Sequence, residues 1–309
     1  TGARRVRSDH RDHARAWLDT VHATTIRRRA HAKINLFLRV LGAREDGYHE
    51  IESLVTPISL ADLVVVRPAG RLRVEVEGAP AFAAEGPAGG LNLALVAALA
   101  LADACPDAAG ALVEIDKRIP VAAGLGGGSA DAAATLHALN ALWGCDVDAA
   151  TLEQIGERIG SDVPAMLSGR PVLMAGRGER LAPADVATFH WVLVRFGFGV
   201  RSPDAYRWWD EDGASTGPDP DRLLAAASSG DAGSLGPLLF NDLERPVFAR
   251  HEGLLTAKER LLEAGALGAV MSGSGSSVIG LAQDEGHARE LAAGFEGAEP
   301  VVSPPPDAA

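Results

Sequence analysis

A chain of 309 residues that is 47% hydrophobic and 23% charged has the composition of an ordinary globular protein, with ample apolar material for a core. Its formal net charge of -12 excludes a nucleic-acid surface, which needs clustered Lys and Arg; any phosphate must be gripped locally, by backbone amides and a few cations. No uninterrupted apolar run reaches the roughly 18 residues of a membrane span. The two cysteines, Cys105 and Cys145, form no CxxC pair, which predicts a reduced, cytoplasmic chain without a disulfide or a zinc site.

The first 29 residues hold eight Arg and three Asp, a local charge of +5 that leaves -17 for the remainder. No apolar segment follows the arginines, so they do not form a secretory signal; the reading is a disordered basic extension over residues 1–29. From Ala32 to Val40 the residues alternate, Ile34, Leu36, Leu38 and Val40 on one face and Lys33, Asn35, Phe37 and Arg39 on the other, the period of a half-buried strand. Arg44 to Gly47 reads as a turn, with Gly47 supplying a positive φ. Strands follow at Ile51–Ile58, Leu63–Arg67, Arg71–Glu77 and Ala111–Asp116, with Asn92 capping a helix to about Ala104. A helix runs from near Ser129 to Leu142, and Thr151 with Gln154 predicts a capping box for a helix that Gly160 ends. Further strands are expected at Pro171–Ala175, Trp191–Phe196, Ala269–Met271 and Ser277–Leu281, and helices at Pro203–Asp210, Asp221–Ser228, Glu244–Glu263 and Glu285–Gly294. Strands and helices mix without strict alternation or internal repeat, which predicts an α+β fold with a boundary near Ala182–Thr188 and a disordered tail over residues 303–309.

The sharpest chemical feature is Pro120-Val121-Ala122-Ala123-Gly124-Leu125-Gly126-Gly127-Gly128-Ser129-Ala130, running straight into an Ala-rich helix. Its glycines let the backbone turn sharply and present successive N–H groups, and the helix adds the positive end of its dipole at the same point. The result is an anion cradle suited to a polyphosphate. It is not a Walker A loop, since no Lys follows the glycines, and it does not fit the dinucleotide pattern GxGxxG. Lys33, one of only three lysines with Lys117 and Lys258, shares a strand face with Asn35; it reads either as an edge-strand lysine or as a compact point charge. Asp162, between Gly160 and Pro164, reads on its own as a helix cap. Tyr48 and His49 are not required by the strand pattern, and either pack against the fold or contact a pyrimidine ring.

The loop PVAAGLGGGSADAAA resembles the ATP-phosphate motif of the GHMP kinase superfamily, in the form found in diphosphocytidyl-methylerythritol kinases. Five more segments fit in order: AKINLFL from Ala32, GYH from Gly47, SDVP from Ser161, NDLE from Asn241, and MSGSGSSVIGL from Met271. Ala122 and Ala123 stand where Gly is frequent, and Ala130 where Ser is common. The resemblance spans about Arg28 to Val302 and implies a two-domain GHMP kinase fold. A ribosomal S5 domain 2-like N-terminal domain would cover residues 30–182, and an α/β-sandwich C-terminal domain residues 189–302. It further implies ATP-dependent phosphorylation of the 2-hydroxyl of 4-diphosphocytidyl-2-C-methyl-D-erythritol in non-mevalonate isoprenoid synthesis, with ATP and Mg2+ as cofactors and a cytidine-diphosphate small molecule as partner. Lys33 and Asp162 would be catalytic, Pro120 to Ala130 would hold the nucleotide, and Asn35, Tyr48 and His49 would meet the substrate. Metal ligands remain unassigned, and the expected assembly is a monomer or homodimer. The alternatives are another GHMP kinase, acting on homoserine, mevalonate or a sugar, and a silent nucleotide-binding module.

Overall fold

A computed structural model of the chain describes residues 25–78, 92–213 and 217–306. Eleven strands among these form two sheets. The first sheet is built from β1 (Ile26–Ala43), β2 (His49–Pro68), β3 (Arg73–Glu77), β4 (Ala111–Asp116), β5 (Val172–Gly176), β6 (Arg180–Pro183) and β8 (Phe240–Asn241). Its order is β3-β4-β2-β1-β8, with β5 pairing β2 and β6 beyond it. The second sheet has the order β11-β7-β10-β9, from β7 (Phe189–Val194), β9 (Gly268–Met271), β10 (Val278–Ala282) and β11 (Glu299–Ser303). The helices are α1 (Leu93–Ala104), α2 (Gly127–Trp143), α3 (Ala149–Ile159), α4 (Val163–Ser168), α5 (Ser202–Asp212), α6 (Pro220–Ser229), α7 (Ala232–Leu235), α8 (Glu244–Phe248), α9 (Glu252–Glu263) and α10 (Glu285–Ala293). No helix among the described residues is long and apolar enough to cross a membrane.

The α+β reading holds, and the departures from the expected elements have physical causes. β1 is not half-buried. A register shift between Asn35 and Phe37 breaks the alternation, so Leu36 and Phe37 enter the same core while Leu38 and Val40 enter another. The strand also begins at Ile26, inside the segment read as a basic extension; residues 1–24 of that extension lie outside the described residues. Leu63–Arg67 is not a separate strand but the far end of β2, which pairs along its length with β1, β4 and β5. Asp148, not Thr151, caps α3: its side chain accepts from the Thr151 N–H, so the helix starts three residues earlier than the capping-box reading. The helix expected over Glu244–Glu263 is two, α8 and α9, broken where His251 takes an extended φ of -139° and stacks its ring on Phe198 at 4.8 Å. Residue 303, read as the start of a frayed tail, instead ends β11, where its buried hydroxyl accepts from Trp191 Nε1 at 2.7 Å. Residues 307–309 lie outside the described residues.

The largest correction concerns the cysteines. Cys105 and Cys145 form a disulfide across a separation of 40 residues, with Cα atoms 5.4 Å apart. Sequence spacing hides this because the contact is made by helix packing. α1 and α2 lie side by side on their alanines, with Leu93 Cδ1 3.5 Å from a Cβ position at Gly128 at one end and the disulfide at the other. A central core ties both sheets together, from Ile34, Leu36, Phe37 and Leu54 on the first and Trp191, Leu193, Val270 and Ile279 on the second, with Leu125 of the glycine loop between them. Reduction of the disulfide, or Cys145→Ser, is expected to lower stability by about 2–4 kcal/mol, since closing a loop of this length restrains the unfolded chain. Urea titrations with and without reductant measure this, and coincident midpoints would show that the bond contributes nothing.

Candidate active site

The glycine loop joins β4 to α2, and its shape is imposed from outside. Gly124 and Gly126 have φ of +76° and +68°, and Ala122, where glycine is the frequent residue, also lies in the left-handed region at +55°. A Cβ on Gly124 would stand 1.9 Å from the carbonyl oxygen of Ser272, so the loop and the Gly/Ser turn after β9 touch backbone to backbone. Four hydrogen bonds lock this contact. Lys33 N donates to Leu125 O at 3.0 Å, Val200 N to Ala122 O at 3.0 Å, Ser277 N to Ala123 O at 3.1 Å, and Ser272 Oγ to Gly124 O at 3.0 Å. α2 then begins at Gly127 with Gly126 as its N-cap, which brings no side-chain acceptor to the first-turn amides. Those amides and the positive end of the helix dipole are an arrangement that can accept an anion.

Lys33 is buried beside this loop. Its Nζ donates to Asn35 Oδ1 at 2.7 Å and lies 3.8 Å from Asp162 Oδ2. Asn35 in turn donates to Ser53 Oγ at 2.8 Å, and Ser53 donates to Phe37 O, so the lysine is aimed by a relay along β1 and β2. Burial lowers the Lys33 pKa below its ordinary range, against the opposing pull of Asp162. Asp162 occupies the N-cap position of α4 but makes no capping hydrogen bond. The carboxylate, 37% exposed, is directed at Lys33. The capping role that the sequence alone favoured is therefore not the one the fold uses.

Tyr48 and His49 lie beyond this pair and separate from each other. Tyr48 is exposed, with the Arg177 guanidinium 4.9 Å from its ring centroid. His49 stacks on Tyr206 at 4.9 Å, meets the edge of Trp209 at 5.8 Å, and binds Asp210 Oδ1 through Nε2 at 2.8 Å. Burial pushes the Tyr206 phenol up, and the Asp162 charge adds to the rise, so Tyr206 connects the His49 end of the site to the Lys33–Asp162 end. Tyr206, Trp209 and Asp210 were not singled out in the sequence; the aromatic cluster YRWWD on an amphipathic helix was the available signal.

The Gly/Ser turn is held by Asn241 and Glu244. Asn241 Nδ2 donates to the carbonyls of Met271 and Gly273, each at 2.7 Å, and Glu244 Oε1 accepts from Met271 N at 2.8 Å while Oε2 accepts from Lys258 at 2.6 Å. Gly273 packs closely here, since a Cβ on it would lie 3.1 Å from both Gly124 O and Lys33 Nζ.

Comparison with known proteins matches residues 92–170 to the GHMP kinases N terminal domain and residues 223–299 to the GHMP kinases C terminal family. The chain is 44% identical over 260 residues to the 4-diphosphocytidyl-2-C-methyl-D-erythritol kinase of Symbiobacterium thermophilum, covering 82% of this chain and 89% of that protein. It belongs to the 4-diphosphocytidyl-2-C-methyl-D-erythritol kinase family. The enzyme of that name from Deinococcus radiodurans is 43% identical, over 85% of this chain and 86% of that one. A crystal structure of 4-(cytidine 5'-diphospho)-2C-methyl-D-erythritol kinase superposes with a TM-score of 0.76 at 37% identity, covering 90% of this chain and 99% of that one. The L. major mevalonate kinase in complex with R-mevalonate, at 18% identity and a TM-score of 0.67 over 92% of this chain and 97% of that one, shares the fold. Within this family fold, Asn241→Ala would remove the side-chain donor of two carbonyls and the acceptor of Leu243 N, and is expected to cost at least about 1–3 kcal/mol, the range for a buried group left unpaired. Urea denaturation measures it; an unchanged midpoint would show that the turn holds its own shape.

Proposed function

We propose that this chain transfers the γ-phosphoryl group of ATP to the 2-hydroxyl of 4-diphosphocytidyl-2-C-methyl-D-erythritol, with Lys33 and Asp162 as the catalytic pair. The observation that carries the assignment is their placement: a desolvated lysine and a half-exposed carboxylate 3.8 Å apart, against the glycine loop. In the reaction the acceptor oxygen attacks the γ-phosphorus, the bond to the bridging oxygen breaks, ADP leaves, and the hydroxyl proton passes to the Asp162 carboxylate. Phosphoryl transfer is governed by positioning and charge neutralisation. Pro120 to Ala130 supply the cradle for the phosphates, through backbone amides and the start of α2. Lys33 supplies a cation already stripped of water, so its attraction for charge developing on the transferred group is weakly screened. Asn35 aims Lys33 and stands on the substrate face with it.

At the other end, Tyr48 and His49 receive the cytosine. Arg177 over Tyr48 and Tyr206 against His49 form two stacked pairs that flank the base-binding end. Magnesium bound with the nucleotide would supply charge neutralisation to its phosphates. Among the described residues no three His, Cys, Asp or Glu side chains cluster as a metal cage. The same proposal divides the chain into a nucleotide-binding unit, residues 30–182, and a closing unit, residues 189–302. The two sheets support that division, although β8 crosses back to pair with β1.

Asp162→Asn is expected to lower kcat by about 10²–10⁴-fold, the range for a positioned acid–base group. Lys33→Ala should do likewise, and turnover within threefold of wild type would remove the altered residue from the mechanism. Activity measured as ADP release against the cytidine substrate, homoserine, mevalonate and galactose should appear only with the first. Tyr48→Ala should raise the KM for that substrate by about tenfold or more, as loss of a base–aromatic contact does, with little change in the KM for ATP. Equal changes in both would place Tyr48 outside the cytosine site.

A further inference from the structure

Beneath the glycine loop lie three charged side chains that the transfer chemistry does not use. Asp62 projects from β2, Asp131 from the first turns of α2, and Lys117 from the segment leaving β4; all three are buried. Lys117 Nζ donates to Asp62 Oδ2 at 2.5 Å and to Asp131 Oδ2 at 2.6 Å. Asp62 is fully engaged, because its Oδ1 accepts from Arg118 N at 2.5 Å and Ile119 N at 2.8 Å. Asp131 is not. Its Oδ1 is buried without a hydrogen-bond partner, and one helical turn along the same face the buried Thr135 Oγ1 is unpartnered too.

Two carboxylates sharing one ammonium leave a buried charge of minus one when both are ionised. A Cβ on Gly127 would lie 3.1 Å from Lys117 Nζ, so this charge sits directly below the backbone that receives a polyphosphate. Among the described residues, the charges that act on Asp131 are Lys117 and Asp62. α1 presents Ala94, Ala97, Ala98 and Leu101 to the core around α2, and α3 presents Leu152 and Ile155. α4 has no charged residue, β1 contributes Ala30, His31 is bonded to Ile58 O, and Lys33 is turned to Asn35. On β4, Glu114 pairs with Arg67 and Asp116 with Arg118, both at the surface. His137 of α2 is bonded to Leu167 O.

We propose that nucleotide binding at the glycine loop is coupled to uptake of one proton from solvent onto Asp131, which makes Asp131 a positioning residue for that loop. This rests on the assignment of the loop as the ATP site. The proton goes to Oδ1, removing the surplus buried charge as the polyanion arrives and providing a donor on the face shared with Thr135. The electrostatics agree. Burial pushes the Asp131 carboxyl up to about 7, with Lys117 opposing and Asp62 adding to the rise. A carboxyl raised in this way is neutral below about pH 7 and ionised above it, and a bound polyphosphate raises it further. Proton uptake on binding therefore appears above pH 7, and affinity for the nucleotide falls as pH rises through that range.

The test is calorimetric titration of the wild-type protein with the β,γ-imido analogue of ATP, at saturating magnesium, in buffers of different ionisation enthalpy. At pH 7.5 the expected slope corresponds to uptake of about 0.5–1 proton per nucleotide, fading below about pH 6 where Asp131 is already protonated. In Asp131→Asn the slope should fall to zero. The wild-type KM for ATP should rise at least about threefold between pH 7 and 9, and should lose that dependence in the variant. Binding without proton uptake, or a slope that persists in Asp131→Asn, overturns the coupling and leaves the ATP assignment standing. Failure of the folded wild type to bind the analogue overturns the ATP assignment itself, and the coupling with it. Should Asp131→Asn not fold, the pH dependence of the wild-type slope decides: uptake that is flat from pH 6 to 8 contradicts a carboxyl with this titration range.

Discussion

The contact between Gly124 and the carbonyl of Ser272 is the constraint on which the site depends. A backbone-to-backbone approach that would leave a Cβ 1.9 Å from an oxygen admits only glycine, and it fixes how far apart the phosphate loop and the Gly/Ser turn can stand. The loop has no regular structure to hold it. Its carbonyls at 122, 123, 124 and 125 accept from Val200, Ser277, Ser272 and Lys33, residues spread over most of the chain. An anion cradle made this way exists only when both sheets are in place. That explains why Leu125 is packed into the core shared by β1, β2, β7, β9 and β10.

The second principle of the site is economy of charge. A chain with a net charge of -12 receives a polyphosphate by using lysine sparingly and burying it where it counts. Lys33 is buried at the loop facing one half-exposed carboxylate, whereas Lys117 beneath it is taken up by Asp62 and Asp131, and Lys258 pairs with Glu244 behind the Gly/Ser turn. The arginines form mainly exposed or half-exposed pairs, such as Arg67 with Glu114 and Arg207 with Asp204, which contribute little to stability. A buried ammonium is a stronger electrostatic partner than any of these because water does not screen it, and its position is set by neighbours that cannot relax away. Asn35 and Ser53 set that position for Lys33; Asp62 and Asp131 set it for Lys117.

What was legible in the sequence was local. Asn92 caps α1, Gly47 turns at φ +81°, Gly160 ends α3, and β4 spans Ala111–Asp116 as expected, because each of these depends on residues within a few positions of one another. The glycine loop with its left-handed turns was legible for the same reason, as was the pairing of Lys33 with Asn35 on one strand face. The family followed from six short motifs in order, and the family matches and relatives agree with it.

The rest belongs to the tertiary structure, since it is made by residues distant in sequence. No spacing rule places Cys105 beside Cys145, Asp62 and Asp131 on one ammonium, or Tyr206 between His49 and Asp162. β8 and β11 were invisible because two residues at Phe240–Asn241, and a strand holding Pro300 and ending in serine, carry no periodic pattern of their own. Asp162 shows the division most clearly. By itself the sequence made it a helix cap, since that is what an aspartate before Val-Pro does locally. Only the packing of α4 against β1 turned its carboxylate to a buried lysine and made it part of a site. The sequence thus determined the elements, the loop and the family through short-range chemistry. The fold decided which charges face each other, because burial and Coulomb energy depend on distances that only the assembled sheets define.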